Sequence, residues 1–212
     1  MKAEKRGRAV IMAGGPISDY SFYTPQKDDY VICADSGYRH AEALGIIPDI
    51  LLGDFDSIAE MPQEVEILRF PAEKDETDLQ IAICHAREKG FSDIYVIGAF
   101  GGRLDHFLGN VCLLHWAQNQ GADVIMQDAD TLVRLVSEDV ALPRKKQHYL
   151  SVIPFFGDAT VSITGVKYPL EKHNMLAGDT LGISNEFKSD VAHISVHSGK
   201  VLVIECRADK IL

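Results

Sequence analysis

From Arg8 to about Asp128, short β-rich apolar runs alternate with stretches of helical period. The pattern predicts strands over 9–13, 30–34, 50–52, 65–69, 94–97 and 124–126. Most are continuous apolar runs without polar alternation, as expected of strands covered on both faces of a parallel sheet. Helical period covers 36–44, 78–89 and 105–118. Gly45, Gly90 and Gly121 follow those segments, where a left-handed capping residue is expected. Asp78 and Asp105 are expected to open the second and third helices as N-caps. This part of the chain therefore reads as an α/β unit, doubly wound around a mostly parallel sheet.

After Val136 the texture changes. The stretch 142–148 is polar and carries no helical period, and beyond it short β-rich runs cover 149–154, 160–163, 180–184, 191–196 and 201–206. Turn residues separate them, and Ser198-Gly199 reads as a hairpin turn. The expected division is an α/β domain over 1–138 followed by a small all-β sandwich or barrel over 139–212. A unit that small has little core of its own and gains from packing on a neighbour.

Charge sharpens the picture. The net charge is −10, and residues 1–143 carry 24 acidic against 12 basic side chains, whereas 144–212 carry 7 against 9. Without a basic stripe to neutralise phosphates, nucleic acid is not an expected partner. The first eight residues lack an apolar signal core, and no run approaches the ~20 apolar residues that span a bilayer. A cytoplasmic protein with no membrane association is expected. The four cysteines form no CxxC pair, and Cys33, Cys84 and Cys112 sit in apolar runs as small hydrophobes.

Acidic motifs follow successive predicted strands: Ala34-Asp35-Ser36-Gly37, Gly53-Asp54-Phe55-Asp56-Ser57, the run ending Asp75-Glu76-Thr77-Asp78, and Gly101-Gly102-Arg103-Leu104-Asp105-His106. In an open parallel sheet the carboxyl ends of the strands share one edge, where ligands bind. So many carboxylates converging there need a cation, and Mg²⁺ with a bound polyphosphate answers that need. Asp54 and Asp56 alternate with Phe55, so a persisting strand points both carboxylates one way. Thr77-Asp78 meets a helix N-terminus with its unpaired N–H groups, although a solvated charge run would look the same. In the loop 98–110, glycines admit phosphates to the backbone and Arg103 can fork onto them. A glycine turn with an N-cap explains Gly101, Gly102 and Asp105 but not Arg103 or His106; Asn110 would cap or brace backbone. Gly14-Gly15 either admits a phosphate or makes a turn. Gly182-Ile183-Ser184-Asn185-Glu186 reads equally as an ordinary turn. Together these residues describe a magnesium-dependent enzyme acting on a nucleotide.

The same motifs, in this order over almost the whole chain, resemble the thiamine pyrophosphokinase family. The resemblance implies an α/β domain binding ATP and Mg²⁺, a β domain completing a thiamine site, and a homodimer with its two sites between subunits. It implies that Asp35, Asp54, Asp56 and Asp78 serve metal and phosphates, with Arg103, Asp105, His106 and Asn110 around the nucleotide. Ser184 and Asn185 would meet the thiamine pyrimidine, and a Phe or Tyr such as Phe187 would pack on it. The implied reaction transfers pyrophosphate from ATP to the thiamine hydroxyl, with Asp78 or Asp105 accepting the proton. Three rivals stand beside it: a metal-dependent phosphohydrolase, a nucleotide-sugar transferase using DxD, and a nucleotide-binding module without turnover. The aspartyl-phosphate phosphatases want DxDx[TV], which 54–57 does not supply.

Overall fold

The computed structural model describes residues 7–54, 65–71 and 75–208; Asp56, Glu73 and Lys74 lie outside them. The chain divides into two compact units, 1–129 and 130–212.

Unit 1 contains β1 (Ala9–Met12), β2 (Tyr30–Ala34), β3 (Ile50–Gly53), β4 (Glu66–Arg69), β5 (Asp93–Ile97) and β6 (Asp123–Gln127). They run parallel in the order β6-β5-β1-β2-β3-β4. Helices α1 (Tyr38–Leu44), α2 (Asp78–Glu88) and α3 (Leu104–Asn119) connect them. Val10, Met12, Val31, Cys33 and Leu51 pack with Ala41 of α1. The alternate residues Ile11, Ile32, Ile50 and Leu52 are equally buried, and α2 packs on β1, β2 and β3. Covering both faces is what the unbroken apolar runs require. The edge strand β4 departs from it, with Glu66 and Arg69 exposed.

The helix starts also differ from expectation. Thr77, not Asp78, caps α2, its Oγ1 accepting from the Gln80 N–H at 3.3 Å. Helix α3 begins at Leu104 with Arg103 in the cap position, so Asp105 already lies inside its first turn. A single 3₁₀ turn, Asp35–Gly37, precedes α1. The glycines past the helices do adopt positive φ: 64° at Gly45, 90° at Gly90 and 76° at Gly121.

Unit 2 contains β7 (Thr131–Val136), β8 (Val140–Pro143), β9 (His148–Pro154), β10 (Ala159–Thr164), β11 (Leu170–Met175), β12 (Asn185–Glu186), β13 (Val191–Ser198) and β14 (Val201–Arg207). Four strands lie in the order β12-β9-β14-β7, and the other four form an antiparallel sheet β11-β10-β13-β8. Leu142, Val161, Ile163 and Ile194 from one layer meet Leu150, Val152, Val201 and Val203 from the other in a shared core. The result is a β-sandwich.

Unit 2 departs from the sequence reading at several points. The stretch 180–184 is a turn rather than a strand, because Ser184 sits at φ 59°, outside any strand conformation, and pairing begins only at Asn185 opposite Leu150. Ser198-Gly199 does not close a hairpin, since β13 pairs with β10 and β8 whereas β14 pairs with β7 and β9. Strand β7, pairing along its whole length with β14, belongs to this unit and moves the division to 129/130 from 138/139.

Candidate active site

Along unit 1 the strands step outward from β1 to β4, then the chain returns past β1 to β5, so the order reverses between β1 and β5. Clefts form outside the carboxyl ends of strands at such a switch point. One of about 450 Å³ opens there, lined by Gly14, Gly15, Asp35, Ser36, Thr77, Asp78, Arg103, His106 and Asn110 among others. Nine of the expected residues thus share one cleft. The β1–β5 ladder runs on into its wall: Ala13 N–H donates to Ile97 O at 2.9 Å and Gly15 N–H to Gly98 O at 2.7 Å. A Cβ at Gly15 would lie 2.4 Å from Gly98 O and 2.5 Å from Phe100 O, so only glycine lets the two turns approach. Gly15 N–H is therefore committed and Pro16 has none, which makes close packing the turn's first task.

Asp35 takes φ 48°, a left-handed conformation that aspartate tolerates better than most residues. The position of a Cβ at Gly53 lies 3.1 Å from Asp35 Cα, so the third strand's end is packed onto this turn and delivers Asp54 beside it. Asp35, Asp54 and Asp78 are all partly exposed. Their all-oxygen donor chemistry suits Mg²⁺, which usually takes one or two carboxylates and completes its shell with water and phosphate. Among the described residues no three His, Cys, Asp or Glu side chains close on one point as a preformed cage.

Across the cleft, Arg103 and Asp105 form a two-point pair, Nε to Oδ1 at 3.1 Å and Nη2 to Oδ2 at 2.6 Å. The bond from Arg103 pulls the Asp105 carboxyl down to about 2, and the His106 backbone N–H adds to this. A carboxylate held so low is a weak proton acceptor at neutral pH. Both partners are exposed, so water screens the pair. Asn110 braces the loop, its Nδ2 donating to Ala99 O at 2.9 Å. The sequence reading missed His40, a buried residue of α1 whose Nε2 lies 2.8 Å from Gly15 O. Its signal, a histidine inside a helix, does not distinguish it from His85 or His115.

In unit 2, Ser184 and Asn185 separate. Ser184 is exposed, with its N–H donating to Ser151 Oγ at 3.0 Å. Asn185 is 6% exposed and clasps a backbone: Oδ1 accepts from the N–H groups of Tyr168 and Glu186, both at 3.0 Å, and Nδ2 donates to Tyr168 O at 2.8 Å. Phe187 is buried in the sandwich core and presents no ring to a ligand, whereas Tyr168 is 60% exposed.

The decisive comparison is with known proteins. Residues 24–126 match the family described as thiamin pyrophosphokinase, catalytic domain, and residues 137–201 match thiamin pyrophosphokinase, vitamin B1 binding domain. The thiamine pyrophosphokinase of Bacillus subtilis is 35% identical over 207 residues, covering 92% of this chain and 96% of that protein. The chain belongs to the thiamine pyrophosphokinase family. A crystal structure of thiamine pyrophosphokinase from Bacillus subtilis superposes with a TM-score of 0.87 at 32% identity, covering 95% of this chain and 99% of that one. One of thiamin pyrophosphokinase from Geobacillus thermodenitrificans gives 0.82 at 29% identity, covering 97% and 100%. The chain is thus an enzyme of the transferase class, running a nucleotide-dependent kinase reaction on a fold with a catalytic unit and a β unit. Among the described residues no helix is long and apolar enough to cross a membrane.

Proposed function

We propose that the unit 1 cleft binds ATP with Mg²⁺ and that the chain transfers pyrophosphate from ATP to thiamine. The observation that carries this is the meeting of Asp35, Thr77, Asp78, Arg103 and His106 with two glycine turns around one cleft at the switch point. The thiamine hydroxyl oxygen attacks the β-phosphorus, and the bond from that phosphorus to the oxygen bridging it to the α-phosphate breaks. AMP leaves with that oxygen, and the hydroxyl proton passes to a carboxylate of the cleft, Asp78 or Asp105. Arg103, paired with Asp105 here, would turn its fork onto a phosphate, and the N-terminus of α2 at Thr77-Asp78 offers N–H groups to another. Asp54, Asp56 and Asp78 would hold Mg²⁺, whose charge when bound offsets the charge growing on the phosphates. Catalysis is then mostly positioning and electrostatics.

On the thiamine side, Ser184 offers a hydroxyl to the pyrimidine and Tyr168 an aromatic face, with Asn185 holding Tyr168 in place. The fixed positive charge of the thiazolium suits an acidic cleft. We further propose a cytoplasmic homodimer in which one subunit's acidic cleft works with its partner's β unit. Leu176, Leu181 and Ile183 are 52%, 61% and 46% exposed in the turn region before Ser184, an apolar surface that a second subunit would cover. Incubation with ATP, Mg²⁺ and thiamine should yield AMP and thiamine diphosphate in equal amounts. Production of ADP or inorganic phosphate alone would refute the reading.

A further inference from the structure

We infer that His40 is a positioning residue for the nucleotide cleft: locked by Tyr20, its ring fixes the Gly15 carbonyl and with it the glycine turn of the cleft wall. The inference rests on the cleft binding ATP. His40 is 2% exposed on α1, with Nε2 2.8 Å from Gly15 O and Nδ1 2.7 Å from the Tyr20 hydroxyl. A carbonyl only accepts, so Nε2 must carry the hydrogen. In the neutral ring Nδ1 is then the acceptor, and the Tyr20 O–H donates to it. Burial, the largest influence on this imidazole, lowers its basicity and favours that neutral form. The two rings meet edge-on with centroids 5.8 Å apart.

The neighbouring residue extends the grip, because Arg39 Nη2 donates to Gly14 O. Both carbonyls of the turn therefore bond to side chains of α1, while Gly15 N–H donates to Gly98 O at 2.7 Å. Gly98 belongs to the same arrangement, since a Cβ there would lie 3.1 Å from His40 Nε2. The Gly14–Gly15 peptide is thus held at both ends, by Arg39 and by Gly98 O, and His40 holds the carbonyl of the next peptide, Gly15–Pro16. The turn it fixes lines the cleft beside Asp35 and Ser36. The ring thus joins α1 to the glycine turn and to Tyr20, which lie 25 and 20 residues before it.

The test measures binding of a non-hydrolysable ATP analogue with Mg²⁺ by calorimetry, alongside KM for ATP, KM for thiamine, and thermal melting. His40→Leu should weaken analogue binding and raise KM for ATP about tenfold, as expected when two buried hydrogen bonds are lost. KM for thiamine should stay within about twofold, since the residues proposed to bind its pyrimidine, Ser184 and Tyr168, lie in unit 2. His40→Gln, whose amide nitrogen can donate where Nε2 does, should recover most of the affinity. Tyr20→Phe should cost about threefold, the effect of one hydrogen bond. A histidine that merely packs would lower the melting temperature without changing analogue affinity in folded protein, and glutamine would restore nothing. Unchanged affinity in folded His40→Leu, or in Tyr20→Phe should the former not fold, overturns the inference. A wild-type protein that binds no ATP analogue would instead overturn the reading of the cleft itself.

Discussion

Asn185→Ala should destabilise unit 2 far more than Ser184→Ala, although the two residues are adjacent. The Asn185 amide makes three bonds to main chain, of 3.0, 3.0 and 2.8 Å, two of them to Tyr168. Removing it strands the Tyr168 N–H and C=O, which are only partly buried, at about 1 kcal/mol each, toward the lower end for such groups. Loss of the third bond and of side-chain packing brings the total to about 3 kcal/mol. Ser184 is exposed, so its alanine variant should stay within about 0.5 kcal/mol of wild type. Urea unfolding, followed by a probe in unit 2, reads both. Asn185→Asp is the control: it keeps the acceptor but sets a carboxylate against the Tyr168 carbonyl, so it should be as damaging at pH 7 and partly recover as acid protonates it. With thiamine as substrate, Ser184→Ala should raise KM at unchanged stability. An Asn185→Ala protein with the wild-type urea midpoint would refute the clasp.

Four further outcomes follow from the geometry. Asp54→Asn and Asp78→Asn should each cut turnover by about 10²-fold or more while leaving the apo melting temperature level or higher, because like carboxylates repel when no cation joins them; near-wild-type rates in both would remove the metal assignment. The Asp105 carboxyl should titrate near 2 by NMR and return toward the ordinary carboxylate range in Arg103→Ala. Because its folded value is depressed, any stability it lends is present above about pH 4 and lost as pH falls toward 2, and a midpoint unmoved by Arg103→Ala would contradict the pairing. Gly98→Ala forces a left-handed alanine whose Cβ would lie 2.2 Å from Ala13 O, and should cost about 3 kcal/mol by chemical denaturation together with nucleotide affinity. An inactive Asp54→Asn chain, dissociated and reassociated at random with an inactive Tyr168→Ala, Ser184→Ala chain, should recover activity at about a quarter of all sites; no recovery, with heterodimers confirmed, would refute shared sites.

Unit 1 was legible because its chemistry is local. A buried parallel strand announces itself as an apolar run, and the loop that follows must reach the ligand edge, so Asp35, Thr77, Asp78 and Arg103 could be assembled from order alone. Asp56 falls outside the described residues. What stayed hidden depends on distant partners. His40 matters through Gly15, twenty-five residues away, and Asn185 through Tyr168, seventeen away. Strand β11 was invisible because its exposed Glu171, Lys172 and Asn174 leave no apolar alternation. Cys112, read as a small core hydrophobe, is exposed, since α3 packs other residues inward.

The crossing at Gly199 has a consequence for how the protein is made. Strand β14 is the one that β7 and β9 both pair with, yet it comes last in the order of strands. Since Ser198-Gly199 leads from one layer into the other, β14 cannot form early as one arm of a local hairpin. During synthesis the six described strands of the α/β unit are all available once Gln127 has emerged. The sandwich, by contrast, must wait for residues 201–207, leaving β7 and β9 with unpaired edges in the interval. Pairings separated by so much chain form slowly, and waiting edges invite association with other chains. The β unit is therefore the half of this protein for which the cell's folding machinery has the most to do.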